Sequence, residues 1–169
     1  MFMIILNLIH ILSGVFWGGA VLLLAVCISP AVDAAGPAGG VFMHKLMLET
    51  RFAMAMGVSG GLTILSGLVM YWLVSGGFSP AWLSSTHGIL ISVGAVFGIL
   101  TAVIGGVSSK HAGKRMSALA GEIQAAGNTP SDAQQTEMRQ LKLKLRRSSI
   151  YSAVLMLIVI TCMALARSF

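Results

Sequence analysis

The sequence predicts an all-α polytopic membrane protein, a transmembrane bundle of four helices whose third and fourth helices extend into the cytoplasm. The chain is 56% hydrophobic and only 9% charged, whereas about a quarter of the residues in a soluble domain carry charge. No Asp, Glu, Lys or Arg occurs in residues 1–32 or 52–109. Each stretch exceeds the ~20 apolar residues that a bilayer crossing requires. We therefore expect one membrane domain over residues 1–169.

The two uncharged stretches locate the first two helices. Helix one is expected over about residues 2–29, because the apolar run continues almost to the first acidic residue, Asp33. Helix two is expected over about residues 52–73, with an extension back toward Val41.

The second uncharged stretch is too long for one crossing and must be divided. Gly76 and Gly77 are followed by Ser79 and Pro80. Glycine is common at helix ends, and a serine followed by proline is typical of an N-cap and first helical position. Helix three is therefore predicted over about residues 80–107.

The polar segment 108–149 predicts a helical hairpin outside the membrane. Helix three can continue into this segment, and a second arm can begin with Thr129 as N-cap, Pro130 at the first position and Asp132 at the capping-box position. Helix four then crosses the membrane at about residues 150–166.

The distribution of basic residues predicts the orientation. All but one of the eleven Lys and Arg residues fall after helix one or after helix three. Lys and Arg are retained on the cytoplasmic side, so both termini are expected outside, with the protein in a bacterial cytoplasmic (inner) membrane. The net charge of +6 thus reports topology and contact with the lipid bilayer, and we expect no nucleic-acid partner.

His10 and His87 are the candidate ligands for a cofactor or metal. Polar groups inside a bilayer are costly and often functional, and the predicted spans hold no carboxylate or lysine. His10 is about nine residues into helix one, and His87 about seven residues into helix three. Both helices run inward from the outer side, so the two imidazoles are expected at matching depth. Helices one and three can lie diagonally in the bundle, which would let the two rings clamp a planar ligand.

Four glycines and one tryptophan follow the two histidines at helical spacing and are candidate cofactor-binding positions. They are Gly14, Trp17 and Gly18 after His10, and Gly94 and Gly98 after His87. A glycine face beside a histidine admits a flat macrocycle while the imidazole ligates iron, so haem b is the expected cofactor. The alternatives are that the glycines pack helices directly and that each histidine bonds a hydroxyl such as Ser13 or Ser92.

A weaker second site is suggested by His44 and His111, which are expected at similar levels on the cytoplasmic side. Such a pair would resemble the second site of a di-haem membrane cytochrome. Met43, His44 and Met47 also form a pattern that suits Cu(I), which makes copper the alternative metal. A packed interfacial helix would explain the same residues.

Residues 8–19, Leu-Ile-His-Ile-Leu-Ser-Gly-Val-Phe-Trp-Gly-Gly, resemble the first helix of the copper-resistance protein D family and of the bacterial four-helix protoporphyrinogen oxidase family. Residues 42–52, Phe-Met-His-Lys-Leu-Met-Leu-Glu-Thr-Arg-Phe, are similar to the segment before helix two of the oxidase family. That family begins helix three with a Trp-Leu-His-x-Lys-like pattern, whereas Trp82-Leu83 here is followed by Ser84 and no lysine. The resemblance implies haem binding through His10 rather than porphyrinogen oxidation.

Three functions are compatible with these patterns. The first is a b-type haem protein for electron transfer or quinone-linked redox. The second is a non-enzymatic accessory or assembly subunit that docks on a membrane-protein partner or on further copies of itself. The third is copper handling. The sequence names no catalytic residue, so whether the protein is an enzyme stays open.

Overall fold

The structure is a computed structural model that describes residues 1–127 and 129–169, and every regular element in these ranges is a helix. The elements in chain order are α1 (Phe2–Leu23), a π-helical turn (Leu24–Ile28), α2 (Ser29–Ala34), α3 (Pro37–His44), a second π-helical turn (Lys45–Glu49), α4 (Phe52–Val74), α5 (Pro80–Leu83), α6 (Thr86–Ala125) and α7 (Asp132–Ala166).

Four of the described helical segments are long and apolar enough to cross a membrane. They are Phe2–Ala34, which joins α1 to α2, and the helices α4, α6 and α7. The lengths of α6 and α7, 40 and 35 residues, exceed the ~20 residues of one crossing. Both therefore continue past their apolar parts as a hairpin. This confirms the predicted all-α, four-helix membrane bundle with extended third and fourth helices.

The bundle has two distinct ends. Residues 1 and 169 lie at the end that we call the terminal end, where α4 also finishes and α6 begins. The opposite end carries the helical hairpin formed by the last part of α6 and the first part of α7, and we call it the hairpin end. These two names describe the molecule without reference to a cellular compartment.

The predicted extension of helix two toward Val41 is wrong in detail. Residues on both sides are helical, but Thr50 has an extended backbone (φ −102°, ψ 167°) and interrupts them. The Thr50 hydroxyl accepts a hydrogen bond from the backbone N–H of Phe52 (3.1 Å) at the start of α4. A side-chain oxygen that binds a free N–H of the first turn favours a new helix start over continuation.

Helix three does not begin at Pro80 as predicted, although Ser79 and Pro80 do start a helix there. That helix, α5, is four residues long. The Ser85 side chain then accepts a hydrogen bond from the backbone N–H of Gly88 (3.0 Å) and caps α6, which begins at Thr86. Ser79 takes the N-cap position of α5 without a side-chain hydrogen bond, whereas Ser85 caps and starts the long helix α6. His87 is consequently the second residue of its helix.

The start of α7 also differs from the predicted one by two residues. The N-cap is Ser131, whose side chain accepts from the backbone N–H of Gln134 while the Gln134 side chain accepts from the Ser131 N–H. This is a complete capping box. Thr129 and Pro130 precede it, and Asp132 is the first residue of the helix rather than its N3 position. Asn128, part of the predicted turn, lies outside the described residues.

The four long helices pack as two close pairs. α1 packs along α4, and α6 packs along α7, whereas α1 with α7 and α4 with α6 make fewer contacts. The ring of neighbours is thus α4, α1, α7 and α6, which places α1 and α6 diagonally. The buried Trp17 of α1 lies on Gly60 of α4. A Cβ added to Gly60 would come within 3.2 Å of the indole, so the glycine is what admits the ring.

The hairpin is held together by a small apolar core and by salt bridges. Leu119 and Ala112 on α6 are 0% and 2% exposed. Arg115 donates two hydrogen bonds to Glu137 on α7, at 2.6 and 2.8 Å, and one to Glu122 at 3.0 Å. The guanidinium lowers the pKa of Glu137 below its ordinary value. The hairpin is thus held by apolar packing and by a charge-assisted, bidentate contact.

Candidate functional site

His10 is fixed against α4 by a backbone hydrogen bond. Its Nδ1 lies 2.8 Å from the carbonyl oxygen of Thr63, and the Ser66 hydroxyl is 3.3 Å from the same nitrogen. The ring rests on Gly67, where an added Cβ would be 2.8 Å from Cε1 of His10. A larger residue at position 67 would therefore displace the imidazole.

A chain of hydroxyl groups continues from His10 toward the hairpin end. The Thr63 hydroxyl donates to Ser13 (2.9 Å) and also lies within hydrogen-bond distance of the Ser59 carbonyl. Ser13, Ser59 and Ser66 are buried. The sequence prediction named Ser13 as a partner of His10, but Ser66 holds that place, and Ser13 joins through Thr63. The signal that could have identified the residues on α4 is their spacing, since Ser59, Thr63 and Ser66 share one face of a helix.

His87 has an equivalent backbone contact on the other helix pair. Its Nδ1 lies 2.8 Å from the carbonyl oxygen of Ala166, the last residue of α7. The edge of its ring faces Trp82, with centroids 6.0 Å apart. Ser92, the predicted hydroxyl partner, bonds Tyr71 instead at 2.6 Å.

Both histidines have the same tautomer and the same available nitrogen. A carbonyl oxygen can only accept, so Nδ1 carries a proton in each ring, and in the neutral imidazole Nε2 then carries the lone pair. Neither Nε2 makes a hydrogen bond to the described residues, and neither is among their fully buried unpaired atoms. An imidazole whose Nδ1–H is held by a carbonyl and whose Nε2 is accessible has the arrangement common to metal-ligating histidines.

The two rings lie on diagonal helices but at different levels. Gly18 and Gly98 pack on the same stretch of α7, within one turn of each other. His10 is eight residues from Gly18, whereas His87 is eleven residues from Gly98, both toward the terminal end. The difference of three residues, at 1.5 Å each, places His87 roughly 4–5 Å closer to that end than His10. The expected matching depth is therefore corrected, because α6 begins at Thr86 rather than at Pro80.

The glycines that were predicted to face a macrocycle contact neighbouring helices. An added Cβ would lie 3.5 Å from Thr63 at Gly14, 3.3 Å from Met156 at Gly18, 2.9 Å from Met163 at Gly94 and 3.9 Å from Val159 at Gly98. Trp17 is likewise buried, against Gly60. These contacts correspond to the alternative interpretation of the glycines, close packing between membrane helices. At Gly14 and Gly98 the added Cβ would lie at an ordinary van der Waals distance, whereas at Gly18 and Gly94 it would lie closer.

The residues of the weaker second site have separate surroundings. His44 is exposed at the end of α3, with Nδ1 4.0 Å from Glu49. His111 is exposed on α6, and its Nδ1 is 3.1 Å from the carbonyl of Val107 in its own helix. Met43 and Met47 are half-buried beside His44. No group of three or more His, Cys, Asp or Glu side chains in residues 1–127 and 129–169 is arranged to hold a metal ion.

Comparisons with family models, with curated proteins and with solved structures found no match to this chain. The described residues form an all-α bundle with a histidine on each of two candidate membrane spans, and each histidine is anchored through Nδ1 to a backbone carbonyl of its neighbouring helix.

Proposed function

We propose that the chain is an integral membrane protein that binds a b-type haem, that His10 and His87 are the residues that would hold it, and that the protein acts in electron transfer or quinone-linked redox. One observation supports the proposal: both imidazoles are anchored at Nδ1, and Nε2 of each ring is not fully buried and makes no hydrogen bond to the described residues. A bound haem would supply a one-electron redox couple. The first-helix resemblance to haem-binding membrane families points to the same ligand, His10.

The protein groups have distinct roles in this proposal. The Thr63 and Ala166 carbonyls orient the two rings and raise the basicity of Nε2, as partners of a ligating histidine do. Gly67 provides the space in which the His10 ring lies flat on α4. A planar group bound to both histidines would lie between the two helix pairs, which contact each other less than the helices within each pair do.

The absorption spectrum of protein purified from haem-replete cells tests this proposal. We expect a Soret band that is largely lost in His10→Ala and in His87→Ala. His44→Ala and His111→Ala are matched controls, because both residues are exposed outside the apolar spans and should leave the band unchanged.

Two results would contradict the proposal. One is purified protein without a Soret band. The other is a band that persists in the His10→Ala, His87→Ala double variant, provided that its circular dichroism and gel-filtration profile match those of the parent. If the band is lost only in the His44→Ala or His111→Ala control, the haem ligands lie at the hairpin end. This result would also reject the assignment of His10 and His87 as the ligands.

We further propose that the hairpin end faces the cytoplasm and that the membrane is the bacterial cytoplasmic membrane. The basic residues support this orientation, because the hairpin and the segment between α2 and α4 contain all Lys and Arg except Arg167. Retention of such residues on the cytoplasmic side is a general rule for short loops.

The hairpin favours a second candidate function, that of an accessory subunit that docks on a membrane-protein partner. The fully buried Leu119 and the ion pairs of Arg115 with Glu122 and Glu137 hold the two arms of the hairpin together. Haem ligation at the terminal end would not require such a hairpin. Mild detergent extraction followed by affinity purification tests this candidate. A stable monomer with no co-purifying protein would count against it.

A further inference from the structure

A groove of about 540 Å³ opens between α6 and α7 at the root of the hairpin. Its lining is apolar toward the membrane span and basic toward the hairpin. The apolar side includes Ile104 and Tyr151, and the basic side includes Lys144 and Arg147, with Gln140 beside them. On α7 the polar residues recur at three- and four-residue spacing, so they share one helix face.

The groove straddles the level at which the apolar spans end. On α6 the first charged residue is Lys110, six positions after Ile104. On α7 the last charged residue before the apolar run to Ala166 is Arg147, four positions before Tyr151. Tyrosine is enriched at the membrane–water interface. The groove therefore lies at headgroup height, with its apolar part beside the acyl chains.

The two basic groups in the groove have no carboxylate partner. No Asp or Glu oxygen of the described residues lies within 4 Å of Lys144 or Arg147. Four of the five carboxylates lie beside other basic side chains: Asp33 is 3.9 Å from Arg146, Glu49 is beside His44, and Glu122 and Glu137 bind Arg115. The fifth, Asp132, is the first residue of α7. The groove thus presents two uncompensated positive charges at the edge of an apolar surface.

We propose that this groove is a binding site for the phosphodiester headgroup of an anionic glycerophospholipid. Lys144 and Arg147 bind the phosphate oxygens, and the Gln140 amide donates to the headgroup. The acyl chains follow Ile104 and Tyr151 into the bilayer. Basic clefts between membrane helices at the cytoplasmic interface suit this ligand because charge and apolar contact are satisfied together.

Binding of defined lipids to the full-length protein in neutral detergent tests the site. Phosphatidylglycerol and phosphatidylcholine are titrated separately, and bound lipid is counted by native mass spectrometry. We expect phosphatidylglycerol to bind at least about tenfold more tightly. The double variant K144Q/R147Q should weaken its binding roughly 10- to 30-fold, the range expected for removing two basic groups near a lipid phosphate.

The double variant R139Q/K142Q is the matched control. It removes two charges from the same exposed helix, but neither residue lines the groove. We expect it to weaken phosphatidylglycerol binding by less than about threefold. An equal loss in both variants would mean non-specific attraction to the basic hairpin and would overturn the proposal.

A competition experiment with inorganic phosphate shows whether the site binds a lipid headgroup or a soluble anion. If millimolar phosphate displaces phosphatidylglycerol completely and binds as tightly itself, the site recognises a soluble phosphate and the lipid assignment is wrong. Equal binding of phosphatidylcholine would also overturn it. Neither result bears on haem ligation, because the groove and the histidine sites lie at opposite ends of the bundle.

Discussion

At the scale of single residues, the two histidines reach main-chain carbonyls for different physical reasons. Helical carbonyls are normally covered by the residue four positions later. Gly67 is four positions after Thr63, so the missing side chain uncovers the Thr63 oxygen for His10. Ala166 is the last residue of α7, and the final carbonyls of a helix have no intrahelical partner. His87 satisfies one of them.

Substitution at position 67 tests this account of His10. Gly67→Ala places a Cβ 2.8 Å from the imidazole, and we expect it to displace the ring and to cost about 1–3 kcal/mol, as overpacking does. Thermal unfolding in detergent micelles measures the change. Gly61→Ala on the same helix is the control, because nothing lies within 4 Å of its added Cβ. Equal stability of both variants would refute the contact.

The sequence indicates which histidines to consider, but it does not indicate their hydrogen-bond partners. His10 and His87 could be selected as intramembrane polar groups because charged and polar residues are scarce in the spans. Their hydrogen-bond partners could not be deduced, because every residue has a backbone carbonyl and the residue type does not show which carbonyl accepts from a histidine. A serine next to a histidine in the sequence, such as Ser13, is the obvious candidate, yet the nearest hydroxyl comes from another helix.

At the scale of elements, the residue at which a helix starts depends on which of several neighbouring serines takes the N-cap position. The sequence from Ser79 to Ser85 offers several serines that can bind a free N–H, and composition alone does not rank them. The structure uses Ser79 for a helix of one turn and Ser85 for α6. A six-residue shift in the start of α6, from Pro80 to Thr86, moves His87 by more than one turn relative to the helix start, and this shift accounts for the error in its predicted depth.

The hairpin should be sensitive to acid through Glu137. Arg115 lowers the pKa of Glu137 below its ordinary value of 4.5, chiefly through the side-chain hydrogen bond. A lowered folded-state pKa contributes stability above the unfolded pKa, and this stability is lost as pH falls through the folded value. We therefore expect hairpin stability to be flat from neutral pH to about 5 and to fall below pH 4.5.

Hydrogen exchange of the hairpin amides, corrected for the intrinsic effect of pH, measures this dependence. Glu137→Gln should exchange faster than the parent at pH 7 and respond less to acidification. Gln135→Glu adds a carboxylate on the exposed face of the same helix and serves as a control. A parent hairpin that keeps its protection at pH 3 would contradict the role of the ion pair.

At the scale of the whole molecule, the number of crossings and the extended hairpin follow from long-range composition. Uncharged stretches and clustered basic residues are properties of many residues at once, so single errors in helix ends do not change them. The pairing of α1 with α4 and of α6 with α7 is a different matter. The pairing depends on glycines that leave room for a particular side chain of the neighbouring helix, as Gly60 does for Trp17. The sequence of one helix alone does not show which helix it will pack against.

Cysteine labelling tests the proposed orientation of the whole bundle. In a background without Cys27 and Cys162, Ser168→Cys should react with a membrane-impermeant maleimide in intact cells, because it lies at the terminal end. Ala120→Cys lies in the hairpin and should react only after the membrane is opened. Both positions are exposed, so accessibility within the protein does not explain a difference. The reverse pattern would invert the topology.

The two close helix pairs are also the two halves of the chain in order of synthesis. α1 and α4 can associate while α6 and α7 are still on the ribosome, because their contacts need nothing from the later half. The turn between the halves contains Gly76 and Gly77, both with positive φ, and precedes the short helix α5. A gene divided at this turn should therefore yield two fragments that insert separately and then reassociate through the thinner contact between the pairs.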